Sequence, residues 1–151
     1  MESQLKSFLS EYRSTRAFDP VKFVEEKTLK LSNYMKENGL DAIVVNLSGG
    51  IDSAVTLCLA CKTQQKYLGL IKHIEIINQP INSSQWSIDN AKSLTDKLKL
   101  PLKIINLDLE HKVVTNRVSE ATGLEATKYS LGQFKSYLRG IKVYQSIYYI
   151  W

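Results

Sequence analysis

The chain has 151 residues, 44% of them apolar and 23% charged, with a formal net charge of +5. That length suits one domain with a sizeable core, and that composition excludes a disordered chain. No apolar run approaches bilayer length, and Met1-Glu2-Ser3-Gln4 lacks the charged and apolar regions of a signal peptide, so a cytoplasmic address is expected. The positive balance favours anionic partners, which nucleotides satisfy as well as nucleic acid does.

Residues 1–18 read as a polar, mixed-charge extension that begins as an amphipathic helix around Leu5, Phe8 and Leu9. Asp19-Pro20 is a helix start, because aspartate caps the free N–H groups and proline fits the first turn. Val21, Val24, Leu29, Leu31, Tyr34 and Met35 then supply an apolar side as far as Glu37, and Asn38-Gly39 stops the helix. A first strand is expected over 42–47, followed by a short loop and a helix to about Thr63. Gln64-Gln65-Lys66 reads as a turn, and a second strand over 72–79 ends at Pro80. From Ser84 onward Ile88, Ala91, Leu94 and Leu98 recur at spacings of three and four, the mark of a buried helical face. A third strand over 102–107 and helices over 108–121 and 132–150 complete the chain. Strands alternating with helices imply an α/β fold, a Rossmann-like parallel sheet with flanking helices and right-handed crossovers. The ligand of such a sheet lies at the carboxyl ends of its strands. Ser48-Gly49-Gly50 and Gln79-Pro80-Ile81 both fall there.

The loop carries the chemistry. Asn46-Leu47-Ser48-Gly49-Gly50-Ile51-Asp52-Ser53 stands between the strand and the helix that follows it. Two glycines allow a sharp turn and a close backbone approach to an anion, and the new helix offers free N–H groups and its positive dipole end. Ser48 and Ser53 add hydroxyl donors, and Asp52 offers a hard oxygen ligand for Mg²⁺ beside phosphates. The spacing matches neither the Walker loop nor the dinucleotide fingerprint. Cys58 and Cys61 form a C-x-x-C inside an apolar helix, where buried packing is expected. His73 and His111 belong to no metal-like cluster.

The residues S-G-G-I-D-S resemble the PP-loop of the ATP pyrophosphatases, which split ATP into AMP and pyrophosphate. Phe18-Asp19-Pro20 with Tyr34-Met35-Lys36, then Asn78-Gln79-Pro80-Ile81-Asn82-Ser83-Ser84, resemble the ammonia-dependent NAD synthetases within that superfamily. So does Gly132-Gln133-Phe134-Lys135-Ser136-Tyr137-Leu138-Arg139 with Tyr144, similar to the family's G-N/Q-x-K/R-S/A-x-x-R helix. The likeness spans about residues 16–150 and makes 19–151 a partial ATP pyrophosphatase domain. It implies ATP-dependent amidation of deamido-NAD by ammonia, giving NAD, AMP and pyrophosphate through an adenylate. It implies ATP and pyrophosphate on Asn46, Leu47, Ser48, Gly49, Gly50, Ile51, Asp52 and Ser53, Mg²⁺ on Asp52, and deamido-NAD on Arg139. Lys135 and Tyr144 become structural or interface residues of a homodimer paired through the 132–151 helix, and neither membrane nor nucleic acid is an expected partner. No side chain is required as a nucleophile. From Lys128 onward there are four basic residues and no acid, compatible with a substrate phosphate nearby or with a solvated basic face.

Two departures from the family pattern matter. Asn78 stands where bacterial members carry an ATP-holding arginine, and Gly140-Ile141 stands where a T-P pair is common. The family's later G-T-x-N-x-x-E motif, with a second Mg²⁺ ligand, has no counterpart, so the chain is expected to be an amino-terminal part with little turnover alone. Its end in Ile147, Tyr148, Ile150 and Trp151 leaves apolar residues without an obvious cover. Two other readings remain: a catalytically dead nucleotide-binding remnant, and a tRNA-modifying PP-loop protein that would use the basic balance and Cys58 with Cys61.

Overall fold

The protein is described by a computed structural model covering residues 2–15 and 17–147. In chain order the elements are α1 (Glu2–Thr15), α2 (Pro20–Glu37), β1 (Ala42–Asn46), α3 (Ile51–Lys66), β2 (His73–Asn78), α4 (Gln85–Leu98), β3 (Lys103–Ile104), α5 (Asp108–Thr122) and α6 (Lys128–Ile147). The three strands form one parallel sheet in the order β1-β2-β3. β1 and β2 pair in register from Ala42 opposite His73 to Asn46 opposite Ile77. The expected α/β architecture is the one observed. Among the described residues no helix is long and apolar enough to cross a membrane.

Local chemistry starts and stops the helices as the sequence suggests. Asp19 accepts from the N–H groups of Val21 and Lys22 at 2.8 and 3.1 Å and caps α2. Ser84 accepts from Ser87 N–H at 3.4 Å and caps α4. Gly123, with φ +68°, closes α5 in the left-handed region that costs glycine little.

The main core lies between the sheet and its helices. Val45 and Leu47 of β1's line and Ile74 and Ile76 of β2 meet Met35 of α2, Leu57 and Ala60 of α3 and Ala91 of α4. Each large side chain removed from water there contributes about 1.5–3 kcal/mol. A smaller cluster of Ile81, Leu107 and Leu138, flanked by Ile105 and Phe134, seats α6.

Several local expectations change. Gln64-Gln65-Lys66 is helical, not a turn, because these are good helix formers and the breaker is Gly69 at φ +78°. Gln64 Nε2 also donates to the Ile71 carbonyl at 3.0 Å, tying the helix end to the next segment. β3 is only two residues long, not six. Pairing continues through Ile105 N–H to the Asn78 carbonyl (2.9 Å) and Leu107 N–H to the Pro80 carbonyl (3.0 Å), but Pro80 has no N–H to complete the ladder. α6 begins at Lys128 rather than Gly132, since the Thr127 hydroxyl accepts from Ser130 N–H at 3.1 Å. On α2 the buried residues are Thr28, Ser32 and Met35, whereas Val21, Leu29 and Tyr34 face solvent. The Thr28 and Ser32 hydroxyls donate to the carbonyls of Glu25 and Leu29, so burying them leaves no polar group unpaired. On α1 Leu5, Phe8 and Tyr12 are exposed. Tyr148 to Trp151, the expected apolar end, lie outside the described residues.

Glu75 is the buried carboxylate of β2, flanked by Lys103 Nζ at 2.9 Å and His73 Nε2 at 3.0 Å. Burial by itself would raise its pKa, but hydrogen bonds from Lys103 and His73, with their charges, hold it below its ordinary 4.5. The unfolded chain therefore takes up a proton first as pH falls. Stability from this group is fully present above the unfolded value and is lost as pH drops through the folded one. Urea melts of the protein and of Glu75→Gln are expected to differ by a constant amount near neutrality. That difference should shrink below about pH 4.5; an equal difference at neutral and strongly acid pH would deny the carboxylate this role.

Candidate functional site

β1 ends at Asn46, and its neighbour Leu47 stays attached to the sheet. Leu47 N–H donates to the Ile77 carbonyl at 2.8 Å, and the Leu47 carbonyl accepts from Asn78 Nδ2 at 2.6 Å. Its side chain is fully buried in the core. The chain then leaves the sheet as Ser48-Gly49-Gly50 and enters α3 at Ile51.

Hydroxyls hold this turn together from inside. Ser53 Oγ accepts from Ser48 N–H (3.2 Å), donates to the Gly50 carbonyl (2.9 Å) and lies 3.0 Å from Ser48 Oγ. Ser48 Oγ accepts from Gly50 N–H at 3.3 Å. From outside, α4 braces the loop. Asn90 Nδ2 donates to the Gly49 carbonyl at 3.4 Å, and a Cβ on Gly49 would collide with the Ser87 main-chain carbonyl. Gly49 also has φ +83°, so both its conformation and its surroundings require glycine.

The result is a helix start without a side-chain cap. α2 and α4 are capped by Asp19 and Ser84, but the cap position of α3 is Gly50, which makes no such bond. The N–H groups of Gly49, Ile51, Asp52 and Ser53 have no hydrogen-bond acceptor among the described residues. Free N–H donors at the positive end of a 16-residue helix form an anion site. The Asp52 carboxylate is exposed and makes no hydrogen bond or ion pair among the described residues. The Ile51 side chain also faces solvent. A cavity of about 380 Å³ adjoins the loop between α3 and α4, with Leu47, Gly49, Ala54, Trp86, Asn90 and Leu94 in its wall.

The second expected segment meets the first at the same sheet edge. Asn46 Nδ2 donates to Gln79 Oε1 at 3.1 Å, so Asn46 faces β2's end. Arg139 reaches this edge from α6, where its Nε donates to the Gln79 carbonyl at 3.0 Å. Its guanidinium is half-buried with no carboxylate partner among the described residues, and burial lowers its pKa from the ordinary value. An unneutralised, partly desolvated guanidinium at a strand's carboxyl end has the chemistry to take an anion.

The cysteines divide. Cys61 is half-buried against the core, and burial, with the Cys58 thiol adding, pushes its pKa up. Cys58 is exposed, contrary to the expected packing, because only one stripe of α3, through Leu57, Ala60 and Thr63, meets the core. His111 is not incidental to the fold: it is buried, stacks on Phe134 with ring centroids 5.1 Å apart and lies 3.4 Å from the Leu131 carbonyl. Among the described residues no cluster of three His, Cys, Asp or Glu could hold a metal. Sequence reasoning missed Ser87 and Asn90, since nothing in a helix's own pattern says which loop its first turns will touch.

Comparison with known proteins gives a consistent result. The model of the NAD synthase family matches residues 23–148. An NH(3)-dependent NAD(+) synthetase of Carboxydothermus hydrogenoformans is 33% identical over 125 residues, covering 80% of this chain and 49% of the relative. Among solved structures, an NMN synthetase from Francisella tularensis superposes with a TM-score of 0.72 at 21% identity, over 85% of this chain and 50% of that one. An NH3-dependent NAD synthetase from Campylobacter jejuni, in complex with nitrate, superposes with a TM-score of 0.69 at 24% identity, over 85% and 52%. At these identities the structural likeness establishes the fold. The chain thus spans about half the length of the relatives it matches.

The two loop glycines separate shape from composition. Gly49→Ala is expected to cost roughly 2–5 kcal/mol, summing left-handed backbone strain and overpacking against Ser87. Gly50→Ala, whose added Cβ would lie 3.5 Å from Ser48 Oγ, should be tolerated. Thermal melts of the two variants check this, and equal losses would refute the asymmetry.

Proposed function

Since the chain belongs to the NAD synthase family, we propose that it carries the ATP-activating part of an ammonia-dependent NAD synthetase, a ligase forming a C–N bond. The reaction is amidation of deamido-NAD: its carboxylate attacks the α-phosphorus of ATP, pyrophosphate leaves, and ammonia displaces AMP from the adenylate to give NAD. The observation that carries this reading is the uncapped start of α3, with its unpaired N–H groups and the Ser48 and Ser53 hydroxyls.

In this reading residues 48–53 hold the phosphates and receive the departing pyrophosphate. Catalysis then consists of placing two nucleotides and stabilising charge at phosphorus, with no side-chain nucleophile. Asn46 and Leu47, whose own groups are already engaged, position the loop. Asp52 would hold Mg²⁺, since its carboxylate is exposed and unpaired among the described residues beside the uncapped helix start. When bound, the metal neutralises phosphate charge. Arg139 takes an anionic or carbonyl group of deamido-NAD through the guanidinium nitrogens not used on Gln79. In this reading the working unit is residues 19–151, with 1–18 an extension, and a cytoplasmic address is part of the proposal. The family match favours this reading over a tRNA-modifying role.

Mg·ATP is expected to bind the 151-residue chain. Ser53→Ala and Asp52→Asn should each weaken it about ten-fold, the worth of one charge-assisted contact. Absence of nucleotide binding by the unsubstituted chain would end the reading. With deamido-NAD, ATP, Mg²⁺ and ammonia the chain alone is expected to form little or no NAD; measurable NAD would show that it holds a complete site.

A second copy of the chain is the proposed partner. Support for the expected pairing through the 132–151 helix is Tyr137, exposed on α6, with the exposed face continuing through Tyr129 of α6, Leu124 of the connection and Val114 and Val118 of α5, and a largely apolar cavity of about 360 Å³ between the two helices. Light scattering should report a dimer that Val118→Asp converts to monomer; a monomer before substitution would refute the pairing.

A further inference from the structure

Gln79 is an odd residue for its place. It is 3% exposed and follows Ile76 and Ile77, with Ile81 just beyond, all of them buried. Its side-chain oxygen accepts from Asn46, but its Nε2 is buried with no hydrogen-bond partner among the described residues. An apolar side chain of the same length would avoid leaving a buried donor without the bonds it has in water. Packing therefore does not explain the amide.

Its connections do. The Gln79 side chain grips Asn46, two residues before Ser48, while its main-chain carbonyl grips Arg139 Nε. One residue joins the base of the phosphate loop to the guanidinium of α6. Asn78 reinforces the joint by holding the Leu47 carbonyl. A displacement at Asn46 or at Arg139 therefore reaches the other through one residue.

We propose that Gln79 is a positioning residue that couples an anion in the phosphate loop to an anion on Arg139, so that each ligand binds more tightly when the other is present. The proposal rests on the functional reading above, in which those ligands are Mg·ATP and deamido-NAD. A ligand drawing on Arg139 pulls on the Gln79 carbonyl, the side chain follows, and Asn46 carries the shift to the start of the loop. The coupling is reciprocal by thermodynamic necessity.

The test uses the full chain, the Mg²⁺ complex of α,β-methylene ATP, whose bridging carbon blocks adenylate formation, and deamido-NAD. Calorimetric titration of each ligand, alone and with the other saturating, gives the coupling factor. A factor of about five or more is expected for the unsubstituted protein. Gln79→Met keeps the main-chain carbonyl and removes the amide; it should bring the factor close to one while changing each separate affinity by less than about three-fold. Asn46→Ala cuts the same bond from the other end and should likewise bring the factor close to one, whatever it does to the affinity for Mg·ATP alone, which keeps the test decisive if Gln79→Met does not fold. The double variant should be no worse than either single one, because both remove one interaction. A purely structural glutamine would lower the melting temperature and both affinities and leave the factor unchanged, and that result overturns the proposal. Binding of both ligands without coupling overturns it too, with the functional reading intact. Failure to bind either ligand removes the reading and the proposal together.

Discussion

The in-register parallel pairing of β1 with β2 fixes where everything else sits. Because Asn46 lies opposite Ile77, the two strands end together, and the loop after β1 and the segment after β2 emerge at one edge. Leu47 extends the pairing by one more bond to Ile77, and Asn78 closes it with a side-chain bond to the Leu47 carbonyl. Slipping the register by one residue would turn Ile74 and Ile76 away from the core they share with Leu57 and Ala91. The hydrophobic core is thus what aligns the polar edge.

At that edge the loop is held from behind and left open in front. Serine hydroxyls fold it upon itself, and Ser87 and Asn90 of α4 press on Gly49. The donors left over are those that an uncapped helix start cannot use internally. This is preorganisation in a literal sense. The N–H groups are arranged during folding, so an anion arriving there would not bear the cost of arranging them. Capping α3 as α2 and α4 are capped would add local stability and remove the site.

The same trade recurs under α6. Arg139 is held by a neutral carbonyl and given no carboxylate, and Gln79 is buried with one end unpaired. Both choices cost stability that a leucine and an ion pair would have kept. Their location, at the carboxyl ends of adjacent strands beside the uncapped start of α3, is where parallel α/β sheets bind their ligands. Around it the structure is conventional: the Glu75 cluster on β2 and β3 is fully partnered, and His111 fills a stack on Phe134.

Element order, the parallel α/β class, the loop and its family are legible in the chain alone. Each of those is written in neighbouring residues: an apolar period, a capping aspartate, a glycine pair between a strand and a helix. Even so, Gln64-Gln65-Lys66 was misread as a turn, since helix propensity outweighed polarity once Gly69 could supply the bend. Other features depend on partners far apart in the chain. Pro80 cuts β3 to two residues because a neighbouring strand needed the N–H it lacks. Cys58 is exposed because the core reaches only one side of α3. Asn46, Gln79 and Arg139 come together from β1, the end of β2 and α6, and Gly49 meets Ser87 across two elements. Local pattern sets which segments form; which side chains then touch is settled by how the buried faces pack, and no single segment contains that information.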